Sequence, residues 1–288
     1  MLRCLAGLGS LGALGGLVAA HAGEAGEAGA MPPLRIVIDP GHTPAQGGAL
    51  GIRGLREVRY NDALAARLCA ALEAAGFRAR LTRAPDQEIG LDERAALANA
   101  WHADLFLAIH HDSAQPQYLE RIQAGTLEAY RTRQPIAGYS LFVSGRNARF
   151  ARSYALAERL GDALGRLGRP PALHHAEPIP GENRELLDRA RGIYRFDDLV
   201  VLRKTEMPAV LLEAGVIVDA GDEAYVSDEA NQRRMVAAIV AAVRAYAADA
   251  AALPAAGPAR PARACASSAA SAASAASAAS AAVPASRP

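Results

Sequence analysis

The chain has 288 residues, 51% of them hydrophobic, which suffices for one sizeable core or two small ones. Its formal net charge is +1, and the sequence holds no basic stripe interleaved with aromatic residues, so a nucleic-acid-binding role is disfavoured. The three cysteines stand far apart in sequence and match neither a CxxC metal site nor a disulfide framework. A single domain of catalytic size is the simplest interpretation.

Residues 1–30 have the features of an export signal. Arg3 gives a positive start, residues 5–20 are apolar and uncharged, and residues 20–22 fit a small-x-small cleavage site. Residues 28–30 also fit, and an uncleaved anchor is the alternative, although the apolar run is short for a membrane span. We predict a signal peptide at 1–22, a linker at 23–32, and an exported, periplasmic protein without a membrane span.

Hydrophobic periodicity and breaker residues predict the elements of the remaining chain. Strands are predicted at residues 36–38, 77–82, 104–110, 140–144, 199–202 and 209–212, and helices at residues 60–76, 91–101, 151–167 and 230–248. The stretch 168–195 is rich in Pro, Gly and charge, and we expect a long ordered loop with a short helix, within an irregular insertion at 168–197. Alternating strands and helices favour a single α/β domain at 33–249, phosphorylase/hydrolase-like, with a mostly parallel twisted sheet flanked by helices.

Residues 250–288 consist mainly of Ala, Ser and Pro with a repeating Ser-Ala-Ala motif. Such a segment lacks the large apolar side chains whose burial offsets the entropy cost of ordering a chain. We therefore predict a disordered tail with no catalytic role.

The first predicted strand ends in a polar, glycine-rich loop. Residues 36–38 are apolar and break into Asp39-Pro40-Gly41-His42, which places His42 just beyond the carboxyl end of a buried strand. Four glycines follow before Glu57, where a helical pattern begins. Two side chains that can bind metal thus flank one loop. The alternative is a surface loop in which both side chains are solvated.

Two further strands also end on polar residues. Residues 104–110 end on His110, and residues 209–212 are followed by Glu213, a carboxylate that is costly to bury without a partner. Because parallel strands share their carboxyl edge, these residues and His42 are expected to meet at one edge of the sheet. Two histidines and one glutamate with an open coordination position are a common catalytic zinc set, and the remaining carboxylate would serve as base.

Three separated blocks carry these residues. The first contains Ile38-Asp39-Pro40-Gly41-His42 and Gly54-Leu55-Arg56-Glu57, in which Glu57 stands fifteen positions after His42. The second block is 81–110 and the third is 201–213. In these blocks, and over residues 34–246 as a whole, the chain resembles the zinc-dependent N-acetylmuramoyl-L-alanine amidases, which cut bacterial peptidoglycan.

The resemblance implies that His42, Glu57 and His110 bind one Zn²⁺ per chain and that Glu213 is the catalytic carboxylate. The substrate would be peptidoglycan, cut at the amide bond between the N-acetylmuramoyl lactyl group and L-alanine of the stem peptide. Two alternatives stay open at this point. One is a wall-binding or regulatory protein of the same fold without turnover, and the other is a zinc peptidase or deacetylase that cuts another bond.

The chain departs from the family pattern beside two of these residues. Thr and Pro replace the usual glycines after His42, and the chain has His110-His111-Asp112 where members commonly have His, a small residue and Asn. His111 is therefore a competing ligand. Because successive strand residues face opposite sides, His110 and His111 cannot both point into one site from a regular strand, and we keep His110.

Three charged residues in these blocks have two interpretations each. Asp39 either orients His42 through its second ring nitrogen or caps the turn. Arg83 and Arg94 either bind carboxylates of the stem peptide or form structural ion pairs.

The insertion at 168–197 contains His174, His175 and Glu177, which suggest either a second metal site or a polar loop. Some amidases of the family are held inactive by an inserted segment that occupies the zinc site until a partner displaces it. By that resemblance, Glu177, Glu182 or Glu185 would be the occupying group, and an activator protein would relieve the inhibition.

Overall fold

The structure is a computed structural model that describes residues 33–252. Its strands are β1 (Arg35–Pro40), β2 (Arg78–Leu81), β3 (Leu105–Asp112), β4 (Leu119–Ala124), β5 (Leu127–Thr132), β6 (Ser140–Val143), β7 (Glu185–Asp188), β8 (Ile193–Arg195) and β9 (Ala209–Val216). Its helices are α1 (Glu57–Ala74), α2 (Leu91–Ala100), α3 (Phe150–Gly165), α4 (Val200–Lys204), α5 (Ala220–Ser227) and α6 (Glu229–Ala252). The predicted signal peptide and linker, and the predicted tail beyond residue 252, lie outside the described residues.

The main sheet has seven strands in the order β2-β1-β3-β9-β6-β8-β7. The first four run parallel, whereas β6 is antiparallel to β9. A separate antiparallel hairpin is formed by β4 and β5. The predicted α/β fold with a mostly parallel sheet is therefore confirmed. The three strands β1, β3 and β9 lie side by side in it, and their carboxyl ends share one edge.

Apolar side chains cover both faces of this sheet. Ile36 and Ile38 of β1 pack into a cluster with residues of α1, α3 and α6, whereas Val37 belongs to a cluster with residues of α2 and α4. The alternation follows from the two-residue period of a strand. Each large apolar side chain contributes about 1.5–3 kcal/mol when buried, so a one-residue slip of β1 would be costly. Burial thereby fixes where the residues at its carboxyl end lie.

The predicted strand at residues 199–202 is wrong. These residues lead into and form the first part of helix α4. A short apolar run does not distinguish a strand from a helix by periodicity alone. The side-chain amide of Asn147 donates to the carbonyls of Leu202, Thr205 and Met207, at 2.7, 3.0 and 3.1 Å, and so satisfies groups at the carboxyl end of α4.

The prediction of a long loop at 168–195 is also wrong in its second half. Strands β7 and β8 lie there and extend the main sheet, and Ile193 and Tyr194 are fully buried in it. Strands of three and four residues are too short to give a clear alternating pattern. The hairpin β4-β5 and helix α5 were not predicted at all. Within residues 33–252, no helix combines the length and the apolar character required to cross a bilayer.

Candidate metal centre and active site

Two strands and one helix bring His42, Glu57 and His110 together, and we call these three residues the trio. His42 follows β1, Glu57 begins α1, and His110 lies near the end of β3. His42 Nε2 is 2.9 Å from Glu57 Oε2, and His110 Nδ1 is 3.0 Å from Glu57 Oε1. One donor atom from each residue lies within 4.8 Å of the others. The trio thus has the composition and spacing of a metal site.

Glu57 is buried and charged. Burial by itself would raise its pKa, but hydrogen bonds with His110 and His42 outweigh burial and hold the pKa of Glu57 well below its usual range. Burial lowers the pKa of His42, and the contacts with Glu57 more than reverse that effect. The carboxylate is therefore ionised at neutral pH, which is the form that binds a cation.

Two glycines leave room for the trio. A Cβ atom at Gly41 would lie 2.1 Å from His110 Nε2. A Cβ atom at Gly48 would lie 2.4 Å from Glu57 Oε2, and the φ of Gly48 is +72°, a conformation that other residues rarely adopt. The loop backbone therefore approaches the ligand side chains more closely than any residue with a Cβ would allow.

We expect Gly41→Ala to displace the His110 ring and to lower both metal content and turnover. The added methyl group should also cost about 1–3 kcal/mol in the free energy of unfolding, the usual penalty for overpacking. Metal analysis and urea denaturation measure the two effects. Gly165→Ala is the matched control, because a Cβ there meets no atom within 4 Å. Equal metal content in Gly41→Ala and wild type would contradict the steric argument.

Two buried arginines hold the backbone at His42. The φ of His42 is +66°, an uncommon value for a residue with a side chain. Arg94 Nη2 donates to the His42 carbonyl at 2.6 Å, and Arg83 Nε donates to the same oxygen at 2.8 Å. Arg94 also pairs with Asp39 at 2.8 Å, and Arg83 pairs with Asp62 at 2.7 Å. Of the two interpretations of Arg83 and Arg94, the structural ion pair is therefore observed.

Both predicted roles of Asp39 are wrong. Its carboxylate accepts hydrogen bonds from the Thr82 hydroxyl and from Arg94, so it neither orients the His42 ring nor caps the turn. The error arises because Asp39 is on β1 itself, with its side chain directed to Arg94, whereas His42 lies beyond the strand end.

Asn61 is a residue of the site that the sequence analysis missed. Its side-chain nitrogen donates to Glu57 Oε1 and to the Gly41 carbonyl, both at 3.2 Å. Its oxygen lies 2.8 Å from His111 Nδ1. His111 thus turns toward Asn61 while His110 points into the trio, as strand alternation predicts. The spacing of four residues between Glu57 and Asn61, one helical turn, is the signal that would have found it.

Glu213 lies on β9 in register with His110 of the neighbouring β3. Its side chain is buried, and within residues 33–252 its Oε2 atom has no hydrogen-bond partner. Burial raises the pKa of Glu213 well above its usual range, and the charges of Asp112 and Glu57 add to the rise. A carboxyl group with a raised pKa beside a candidate metal-binding trio suits the transfer of protons.

A second group of ionisable side chains consists of Asp112, His174, His175 and Glu182, and we call it the second cluster. Asp112 Oδ2 lies 2.7 Å from His175 Nε2 and 3.2 Å from His174 Nε2. His175 Nδ1 lies 2.8 Å from Glu182 Oε2. The predicted grouping of the two histidines with Glu177 is wrong, because the carboxylate of Glu177 accepts a hydrogen bond from the Tyr118 hydroxyl instead.

The three glutamates predicted to occupy the zinc site have other partners. Glu177 bonds to Tyr118, Glu182 bonds to Gln115 and His175, and Glu185 lies 3.6 Å from Arg195. The inserted segment therefore directs its carboxylates away from the trio in this structure, and the contacts give no support to inhibition by direct ligation.

Comparisons with known proteins identify the family of this chain. A sequence profile of the N-acetylmuramoyl-L-alanine amidases matches residues 36–245, a range that contains the trio and Glu213. The chain belongs to the N-acetylmuramoyl-L-alanine amidase family. Membership in this family confirms the predicted enzyme class, a hydrolase of the amidase type that acts on cell-wall peptidoglycan.

Among the related amidases, AmiA of Escherichia coli strain K12 is 26% identical over 227 residues, which cover 71% of this chain and 73% of AmiA. The solved structure of AmiC2 of Nostoc punctiforme is 26% identical with a TM-score of 0.55, and the match covers 75% of this chain and 97% of AmiC2. The structure of Ami1 from Mycobacterium smegmatis matches with a TM-score of 0.58 at 22% identity, over 75% of this chain and 97% of Ami1. This match shows that the two proteins share a fold.

Proposed function

We propose that the trio binds one zinc ion and that this amidase hydrolyses the bond between the N-acetylmuramoyl residue and L-alanine of the peptidoglycan stem peptide. The observation that carries the proposal is the convergence of His42, Glu57 and His110 beside the buried Glu213. Family membership supports the choice of substrate.

The donor atoms of the trio fit zinc. Two imidazoles and one carboxylate, with a fourth position open, are a common catalytic zinc set. Ligand atoms bound tetrahedrally at the usual zinc distances are about 3.3 Å apart, close to the 2.9 and 3.0 Å separations between Glu57 and the two histidines. A bound zinc ion would supply Lewis-acid chemistry, by activating water at neutral pH and polarising the scissile carbonyl.

Glu213 is assigned the proton transfers. Its carboxylate would accept a proton from the attacking water and later deliver that proton to the departing nitrogen of L-alanine. A raised pKa favours the second step, because the protonated acid must persist until the amine leaves. A cation in the trio would offset the charge of Glu57 and so lower the pKa of Glu213, which favours the first step.

We also propose that the protein acts outside the cytoplasm, because an enzyme that hydrolyses peptidoglycan must be exported to reach its substrate. The charged start, apolar run and cleavage pattern of residues 1–30 support export to the periplasm. An activator protein stays a prediction from the family resemblance.

Digestion of purified sacculi tests the proposed reaction. Wild-type enzyme loaded with zinc is expected to release stem peptides that carry a free amino-terminal L-alanine, and to leave glycan strands with intact N-acetyl groups. Mass spectrometry of the soluble products distinguishes this outcome from the two alternatives. Cleavage within the stem peptide would indicate a peptidase, and loss of acetyl groups would indicate a deacetylase. Either result would contradict the proposed bond.

A further inference from the structure

We propose that the second cluster binds a divalent transition-metal ion of the zinc class, in addition to the ion of the trio. Asp112 supplies one carboxylate oxygen, and His174 and His175 each direct Nε2 toward that same oxygen. The separations of 3.2 and 2.7 Å resemble the 2.9 and 3.0 Å separations within the trio. One candidate donor atom from each of these three residues lies within 4.8 Å of the others.

The strongest indication of an ion is the buried side chain of His174. Its side chain is 3% exposed. Within residues 33–252, its Nδ1 atom has no hydrogen-bond partner, and its Nε2 atom approaches Asp112 Oδ2 to 3.2 Å without making a well-aligned hydrogen bond. A buried polar group without a partner costs about 1–3 kcal/mol. An ion between His174 Nε2 and Asp112 would give this ring the partner that it lacks.

His175 has the surroundings of a histidine ligand. Glu182 Oε2 lies 2.8 Å from its Nδ1 and can accept a hydrogen bond from a protonated Nδ1, which leaves a lone pair on Nε2 facing Asp112. Metal-binding histidines usually donate their other N–H to a carboxylate or carbonyl in this way. Gln115 donates to the second oxygen of Glu182 at 3.1 Å and fixes its orientation.

A protonated His175 held between the two carboxylates is the competing explanation. It accounts for the contacts of His175 with Asp112 and Glu182 without an ion. It leaves His174 without a well-aligned hydrogen bond, although the ring of His174 lies 4.0 Å from the ring of His175 and turns Nε2 to the same Asp112 oxygen. A metal ion satisfies both rings with one carboxylate oxygen.

A surface cleft borders the cluster. A cleft of about 430 Å³ is lined by His174 together with Pro135, Ala176, Glu177, Pro178 and Arg189. The rings of Phe142 and Tyr194 lie 5.1 and 5.6 Å from the ring of His175 and shield its other side. An ion bound by the cluster would connect the 3₁₀ turn at residues 174–176 to Asp112 at the end of β3. Asp112 lies two residues beyond His110.

Counting metal ions per chain tests the proposal. The full chain is stripped with a chelator, loaded with Zn²⁺, freed of unbound ion by gel filtration, and analysed by inductively coupled plasma mass spectrometry. We expect two ions per chain in wild type, one in His174→Gln, one in His175→Gln, one in His42→Ala and none in the double variant His42→Ala/His174→Gln. Cobalt loading of His42→Ala should show visible absorption bands that His174→Gln abolishes in the same background.

Glu177→Gln is the matched control, since Glu177 lies in the same segment and bonds to Tyr118, and it should keep two ions. One ion in wild type and none in His42→Ala would overturn the second site. The wild-type ion count is informative by itself, because it does not depend on whether any variant folds. The opposite pattern, with the ion lost in His174→Gln and retained in His42→Ala at the wild-type level, would instead overturn the assignment of the trio.

Discussion

Replacing Glu213 by glutamine is expected to lower turnover on sacculi by about 10²–10⁴-fold, the usual contribution of a positioned acid-base group. The metal content should stay at the wild-type value, because Glu213 is not one of the three side chains that converge on the proposed ion. Initial rates of stem-peptide release and metal analysis of the same preparation measure the two quantities.

The stability of this variant separates a chemical role from a structural one. Glu213 is buried near the carboxylates of Asp112 and Glu57, so removing its charge should leave the free energy of unfolding unchanged or increase it. Glu206→Gln is the matched control, because Glu206 is exposed just before β9, and its activity should equal that of wild type. Equal activity in Glu213→Gln and wild type would falsify the assignment of the proton carrier.

Replacing His42 by alanine is expected to remove one metal ion per chain and to lower turnover by more than about 100-fold. Removing an outer partner of a metal ligand already costs about 10–100-fold in affinity or activity, so loss of the ligand itself should cost more. Chelation of the wild type should have the same effect on turnover, and added Zn²⁺ should restore the activity of the wild type and not of the variant.

His102→Ala provides the control for this substitution. His102 is an exposed histidine between α2 and β3, and its replacement should change neither metal content nor activity. If His42→Ala kept both its full metal content and its rate, the trio would not be the ion-binding site.

The strands that lead to His42, His110 and Glu213 were predictable because they are buried on both faces. Such strands are continuous apolar runs, and the polar residues at the end of each run lie near the sheet edge. The runs before His42, His110 and Glu213 therefore located all three residues. The family resemblance indicated His110, and strand alternation excluded His111 as a second ligand beside it.

The parts that were not predictable depend on contacts between distant segments. Nothing near Asp39 in sequence reveals that Arg94 lies beside it. The same holds for the second cluster, because Asp112 and His175 are brought together only when the inserted segment adds β7 and β8 to the sheet. Helix α4 depends on Asn147, a residue more than fifty positions earlier.

Anomalous diffraction at the zinc absorption edge tests the central claim most directly. A crystal of the zinc-loaded protein should give a peak at bonding distance, about 2.0–2.2 Å, from His42 Nε2, His110 Nδ1 and a Glu57 oxygen. A zinc-loaded crystal with no peak among these three side chains, or a trio whose side chains point to separate places, would contradict the account.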